Sequence, residues 1–396
     1  MQNFKLNETE ILSNQDWTFP TNTAYGPGRF KEIGDQCNKF GIRNPLIVTD
    51  NGSTKLPFIN ELKELLLKAN IKSDLFSEIS PNPREDEISV GCKKYKDGNH
   101  ASIIAIGGGS AMDGGKLICL TANNDIPLRD FEFELTPPKI SKDNPFPKII
   151  TIPTTAGTGA ETEITAMVTY LKEGMKFCMW HPDVRPVLAL VDPELTLGLP
   201  SSLTAWTGVD AMVHAIEGYC VPGFHPLCDG SALESLSLIS KSLYLAVEEP
   251  KNLIARGGMH IGSYLGGVAF LKGLGNVHSI SHMVGAEFNT QHGLTNAIIL
   301  PVVLKYNLYD MDEKVKRMSE AMQFKDHSID SFINNIEKML DRLQIPKSLS
   351  EIGVTEDCVD RIAEKAMKDQ AYATNPKKAS YEDMKEMVMQ SIKKAR

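Results

Sequence analysis

Apolar and polar positions divide this chain near its middle. Up to about residue 198, short apolar runs alternate with amphipathic stretches. Short apolar runs bounded by turn residues predict buried strands. Such runs are Pro45–Asp50 ahead of Asn51-Gly52, Phe76–Ile79, Ala101–Ile106, Lys148–Pro153 and Val187–Pro193. Between them, FINELKELLLKANI repeats its apolar residues at helical spacing, and the segments around EISVGCKKYKDG and AMDGGKLICLTA read as helices. Ser80-Pro81-Asn82-Pro83 is a breaker. Residues 125–147, rich in proline and charge, read as a surface excursion. From about Ser201 the strand signals fade and helical patterns run to the end. They include SLTAWTGVDAMVHAIEGYC, SALESLSLISKSLYLAVEE, the stretch around GMHIGSYLGGVAFLKG, SIDSFINNIEKMLDRLQ and YEDMKEMVMQSIKKAR. The pattern predicts a parallel α/β domain over residues 1–198 and an all-helical domain over 199–396, with no internal repeat.

Composition narrows the partners. The hydrophobic share of 42% and charged share of 23% are those of an ordinary globular protein. The net charge is −8 without blocks of like charge, which argues against nucleic acid or an anionic membrane surface as partner. No run approaches the roughly 18 apolar residues of a membrane span. Residues 1–14, MQNFKLNETEILSN, lack the apolar stretch of a secretory signal. Seven scattered cysteines without a CxxC pair predict reduced thiols and a cytoplasmic protein.

Three stretches carry candidate chemistry. Gly107-Gly108-Gly109-Ser110 directly follows a predicted strand and opens a predicted helix. Glycines let the backbone approach an anion, and the free N–H groups of a helix start can hold phosphate. The loop Thr154-Thr155-Ala156-Gly157-Thr158-Gly159 ends another strand and offers hydroxyl and amide donors. The third stretch is NVHSISHMVGAEFNTQHG, where three of the nine histidines, His278, His282 and His292, fall within fifteen residues. His278 and His282 are four apart, on one face of a helix, and His292 sits in a Gln-His-Gly turn. Upstream, Asp210 and His214 share the same spacing. Together these residues can offer one carboxylate and several imidazoles to Fe(II), Zn(II), Co(II) or Ni(II).

With these motifs in order, nearly the whole chain resembles the iron-dependent, or group III, alcohol dehydrogenase family. The landmarks are VTD, SPNP, GGGSAMDGGK, PTTAGTGAE, VDPELTLGLP, TAWTGVDAMVHAIEGY, HSISHMVG and TQHGLTNAIILP. The resemblance implies the dehydroquinate synthase-like fold, a Rossmann-like domain followed by a helical metal-binding domain. It implies a metal held by Asp210, His214, His278 and His292, with Fe(II) expected and Zn(II) the alternative. His282 matches the histidine between metal and nicotinamide, the expected proton relay. Gly109 and Ser110 match the pyrophosphate loop, and Thr154, Thr155 and Thr158 the threonine loop. Asn82 and Lys176 match further cofactor contacts. Asp50 matches the position that accepts from the adenosine ribose, favouring NAD over NADP; its plain alternative is a turn cap.

The expected activity is hydride transfer between NAD(H) and a small primary alcohol or aldehyde, the alcohol being a simple alcohol, a diol or an ω-hydroxy acid. A homodimer or larger homo-oligomer is expected from the family. The alternatives are a hydroxyacid–oxoacid transhydrogenase of the same superfamily and a dehydroquinate synthase-like lyase, although around residues 260–300 only Lys272 stands out as a basic substrate group. Three features depart from the common family pattern. Glu163 replaces a threonine, DGGK replaces D-x-A-K, and the run from Ala269 to His278 is one residue short.

Overall fold

The computed structural model describes residue 12, residues 14–17 and residues 21–396. The expectation that residues 1–14 carry no secretory signal concerns residues outside that set, save 12 and 14. The chain forms two compact units. Among the described residues, one takes those up to Thr155 together with Ala160–Gly198; the other takes Ala156–Gly159 and Leu199–Arg396.

The first unit is built on a seven-stranded sheet in the order β1-β2-β9-β6-β5-β3-β4. The strands are β1 (Gln15–Trp17), β2 (Thr23–Tyr25), β3 (Pro45–Asp50), β4 (Asp74–Ile79), β5 (Ser102–Gly107), β6 (Lys148–Pro153) and β9 (Leu188–Val191). Six of them run parallel, and β1 pairs antiparallel with β2 at the edge. A sheet covered on both faces demands apolar residues at consecutive positions. Leu46, Val48, Ile103 and Ala105 pack on one side with α3 (Glu85–Asp97) and α4 (Gly109–Ala122). Ile47, Ile104, Ile106 and Ile150 pack on the other with α1 (Ile33–Phe40) and α2 (Pro57–Lys68).

Two features depart from the sequence reading. An antiparallel hairpin of β7 (Thr165–Tyr170) and β8 (Met175–Trp180) stands apart from the sheet. The stretch 125–147 is not only a surface excursion. Phe131 and Phe146 are buried in the core, because a short 3-10 turn at Leu128–Phe131 aims the first of them inward.

The second unit is helical. Its helices are α5 (Ser201–Cys220), α6 (Pro226–Glu248), α7 (Leu253–Ala269), α8 (Asn276–Phe288), α9 (His292–Asn307), α10 (Asp312–Ala321), α11 (Ile329–Arg342), α12 (Val359–Ala366), α13 (Gln370–Thr374) and α14 (Tyr381–Lys393). α5 is its centre, and from Thr207 to Cys220 every residue is buried. A helix apolar on all sides belongs inside a core, so its few polar residues stand out. Arg256 on α7 is fully buried and secures the start of α5. Its guanidinium donates to Thr204 Oγ1 at 2.7 Å and to the Leu199 carbonyl at 3.3 Å. Among the described residues no helix is long and apolar enough to cross a membrane.

Candidate active site

In the helical unit, α5, α8 and α9 bring four side chains to one point. Asp210, His214, His278 and His292 each offer a ligand atom, and these atoms all lie within 4.8 Å of one another. Asp210 Oδ1 is 3.9 Å from His214 Nε2 and 3.7 Å from His292 Nε2. A tetrahedral ion with bonds of about 2.1 Å separates its ligands by about 3.4 Å, so the set is close to that of a bound ion. One carboxylate with three imidazoles suits iron or zinc chemically. Asp210, His214 and His278 are buried, and His292 is half-buried. Burial drives the His214 pKa well below its ordinary value, and His278 beside it adds to the effect; the ring stays neutral, as a ligand must.

On two of the histidines the second ring nitrogen meets an orienting partner. His214 Nδ1 is 3.2 Å from the Gly157 carbonyl, and His278 Nδ1 is 2.6 Å from Glu217 Oε2. Both arrangements leave Nε2 for the centre. The Glu217 carboxylate also accepts the N–H groups of Gly275 at 3.1 Å and Val277 at 2.8 Å, where α8 begins. His282 lies outside the group of four. Its Nδ1 is 2.9 Å from Asp369 Oδ2, and its ring stacks on His292 with centroids 5.5 Å apart. His292 is not in a free turn, as the Gln-His-Gly sequence suggested. It is the first residue of α9, with Gln291 capping the helix through its side chain. Gly293 then lets α9 lie directly on α5. A Cβ there would collide with the Trp206 carbonyl oxygen and come within 3.0 Å of Asp210 Cβ.

In the α/β unit, β5 ends at Gly107, whose φ is +144°. A Cβ at Gly107 would come within 2.7 Å of Ala111 Cβ and 2.8 Å of Asp50 Oδ2, so only glycine fits between the strand end and α4. The Gly107 carbonyl accepts from Thr154 N at 2.9 Å, which ties the two loops together. The Thr155 hydroxyl oxygen is buried and meets no hydrogen-bond partner, a vacancy that a phosphate or ribose oxygen can fill. These features fit a nucleotide's phosphates. Ser110 Oγ donates to the Pro81 carbonyl at 2.5 Å, and Thr169 N to the Pro83 carbonyl at 2.7 Å. Thr169 is the cross-strand partner of Lys176. The hairpin thereby brings Lys176 toward the SPNP loop that holds Asn82. Thr158 is half-buried and groups with the helical unit, away in the chain partition from Thr154 and Thr155. Asp50 accepts from Ser53 through both oxygens, at 3.0 Å from N and 2.8 Å from Oγ. It does cap its turn, and the same bonds hold its carboxylate beside Gly107.

Below that loop lies a buried charged cluster. Lys116 Nζ donates to the Thr165 carbonyl at 2.6 Å, and Glu163 accepts from Thr165 Oγ1 at 3.2 Å. Burial pushes the carboxyls of Glu161 and Glu163 up to about 7 and that of Asp113 up to about 6, while the Lys116 charge opposes the shift.

Two family models match the chain. Iron-containing alcohol dehydrogenase covers residues 20–193, and the Fe-containing alcohol dehydrogenase family C-terminal model covers 204–392. Alcohol dehydrogenase 4 of Schizosaccharomyces pombe is 34% identical over 92% of this chain and 86% of its own. The chain belongs to the iron-containing alcohol dehydrogenase family. The NAD-dependent methanol dehydrogenase of Bacillus methanolicus is 31% identical over 94% of this chain and 98% of its own. The crystal structure of a 1,3-propanediol oxidoreductase superposes with a TM-score of 0.89 at 30% identity, covering 96% of this chain and all of that one. As a member of the family, the protein is an alcohol dehydrogenase, an oxidoreductase that works with iron and NAD.

Three residues of the centre escaped the sequence reading. Glu217 carried a signal, since it follows Asp210 by seven and His214 by three on one helix face. Asn296 follows His292 by four in the same way. Asp369 carried none, being 87 residues from His282.

Proposed function

We propose that this enzyme oxidises small primary alcohols, diols or ω-hydroxy acids with NAD, and reduces the matching aldehydes in reverse. The observation that carries the reading is the convergence of Asp210, His214, His278 and His292 within 4.8 Å. Those four residues hold the divalent ion. When bound, the ion supplies Lewis acidity that lowers the pKa of the alcohol, and NAD supplies the hydride acceptor. Asp210 brings one negative charge and the imidazoles none, so the loaded site keeps a net charge of about +1, suited to a developing alkoxide. Gly109, Ser110, Thr154, Thr155 and Thr158 hold the cofactor's phosphates and ribose, with Asn82 and Lys176 as further contacts. Binding energy there orients the nicotinamide ring. Asp50 accepts from the adenosine ribose and repels a 2′-phosphate. His282, fixed by Asp369 through Nδ1, has Nε2 to relay the proton that the alcohol releases.

The nucleotide part is residues 1–198 and the metal part 199–396. All seven cysteines are free thiols, in keeping with a cytoplasmic protein. The working form is a homodimer or a larger homo-oligomer, which light scattering of purified protein measures directly. The test of function is a panel of alcohols and aldehydes, followed by NADH absorbance with Fe(II) or Zn(II) present. In parallel, His278→Ala should lose metal and turnover while keeping its helical spectrum. Full metal content and a normal rate in that variant would remove His278 from the site. No net NADH from any alcohol alone, with aldehyde and hydroxyacid formed only once an oxoacid is added to take up the hydride, would replace the reading with a transhydrogenase.

A further inference from the structure

Strand β7 has one edge that β8 does not cover. Along an antiparallel strand, alternate residues turn their N–H and C=O groups to the same side, and those on the open side need other partners. In β7 these are Thr165, Met167 and Thr169. The Thr165 carbonyl accepts from Lys116 Nζ at 2.6 Å, the Met167 N–H donates to the Asp113 carboxylate, and Thr169 N donates to the Pro83 carbonyl at 2.7 Å. Asp113 and Lys116 stand three apart on one face of α4, so a single helix secures two successive outward positions of the edge.

Capping an edge requires a hydrogen-bonding group and no charge, yet α4 supplies a charge of each sign. Lys116 faces the carboxyls of Glu161 and Glu163 as well as that of Asp113. Asp113 faces a second cation, Lys176, close enough for the two charges to act on each other. Lys176 is buried on β8 directly across from Thr169. Asp113 itself is half-buried and lies one turn into the helix that opens with Gly109 and Ser110. The carboxylate therefore links the proposed phosphate loop to the lysine of the hairpin.

We propose that Asp113 is a positioning residue for the cofactor, its charge holding the Lys176 ammonium where that lysine meets the bound nucleotide. This rests on the reading of Lys176 as a cofactor contact. A lysine's four-carbon stem is flexible, and fixing it costs entropy. An opposite charge carried by a rigid helix fixes the ammonium before the nucleotide arrives, so less of the binding energy is lost in ordering it.

The test is a double-mutant cycle on the full-length, metal-loaded enzyme, with Asp113→Asn, Lys176→Met and the two combined. NADH affinity is read from nicotinamide fluorescence, and thermal midpoints are taken without nucleotide. Asparagine keeps an oxygen for the Met167 N–H while removing the charge, so the strand edge stays capped. Lys176→Met should weaken NADH binding by about 10–100-fold, the loss of a hydrogen bond from a charged group. Asp113→Asn should weaken it by about 3–10-fold at a nearly unchanged midpoint, and the double variant should bind no worse than Lys176→Met. Should the asparagine protein not fold, Asp113→Ala takes its place in the same cycle. Losses that add in the double variant would overturn the proposal, because Asp113 would then act without Lys176. Unchanged affinity with a lowered midpoint in Asp113→Asn would overturn it in favour of a plain edge cap. Unchanged affinity in Lys176→Met sinks the cofactor-contact reading, and the positioning role with it; a weakened Lys176→Met beside an unaffected Asp113→Asn sinks the positioning role alone.

Discussion

Glu217 Oε2 and His278 Nδ1 meet at 2.6 Å, joining α5 to the start of α8. Both side chains are buried, and the carboxylate is also the acceptor for two backbone N–H groups at that helix start. One group thus orients a proposed ligand and satisfies a helix N-terminus.

Glu217→Gln should weaken metal binding by about 10–100-fold, the usual effect of disturbing a ligand's outer partner. The amide keeps the shape but loses the charge that both the imidazole and the helix start favour. Chelator competition measures the affinity. An unchanged value would reduce Glu217 to a helix cap.

His282→Ala should keep near-stoichiometric metal while turnover falls by about 10²–10⁴-fold. Asp369→Asn should fall in the same direction by less, because the ring remains but is no longer held by a charge. Metal content, kcat and the Michaelis constant for NAD taken on one preparation separate the outcomes. Loss of metal makes His282 a ligand. A raised NAD constant with kcat intact makes it part of the cofactor floor.

Asp50→Gly should raise the Michaelis constant for NAD by about 10–100-fold, the worth of a hydrogen bond to a charged group, and admit NADP. The relevant measure is the ratio of kcat/KM for the two cofactors. The bonds from Ser53 serve a turn as well, so an unchanged ratio would leave Asp50 with the turn alone.

The cluster at Lys116 predicts a pH dependence of stability. Glu161 and Glu163 titrate near 7 when folded, against 4.5 ordinarily. Between those values the folded chain holds protons that the unfolded chain has released, so stability falls as pH rises through the window and levels above it. Glu163→Thr, restoring the commoner residue, should flatten the decline and raise stability near pH 8 by on the order of 1–3 kcal/mol, with little change near pH 4. Thermal midpoints from pH 4 to 8 show it; parallel curves for the two proteins would refute the assignment to Glu163.

The elements legible in sequence were those whose local pattern and burial agree. Pro45–Asp50 and Lys148–Pro153 are buried on both faces and read as unbroken apolar runs. The pairs proposed as ligands stand out in the sequence because helical spacing repeats a chemical type. Strands β1 and β2 were missed because three residues leave no periodicity to detect. The β7–β8 hairpin was missed because polar residues such as Thr165, Thr169 and Lys176 interrupt its apolar positions. Phe131 was misplaced because its neighbours are charged or proline-rich, and only tertiary packing turns it inward. The Asp369–His282 contact depends on α13 meeting α8, which no local pattern announces.

Gly293 sets the gap between the helix that carries Asp210 and the one that carries His292. Since the obstacle is a backbone carbonyl and not a movable side chain, no substitution at this position can be absorbed by repacking. A side chain there would force α9 off α5 and carry His292 away from Asp210, so the closeness of those two side chains is set by a residue that has no side chain of its own.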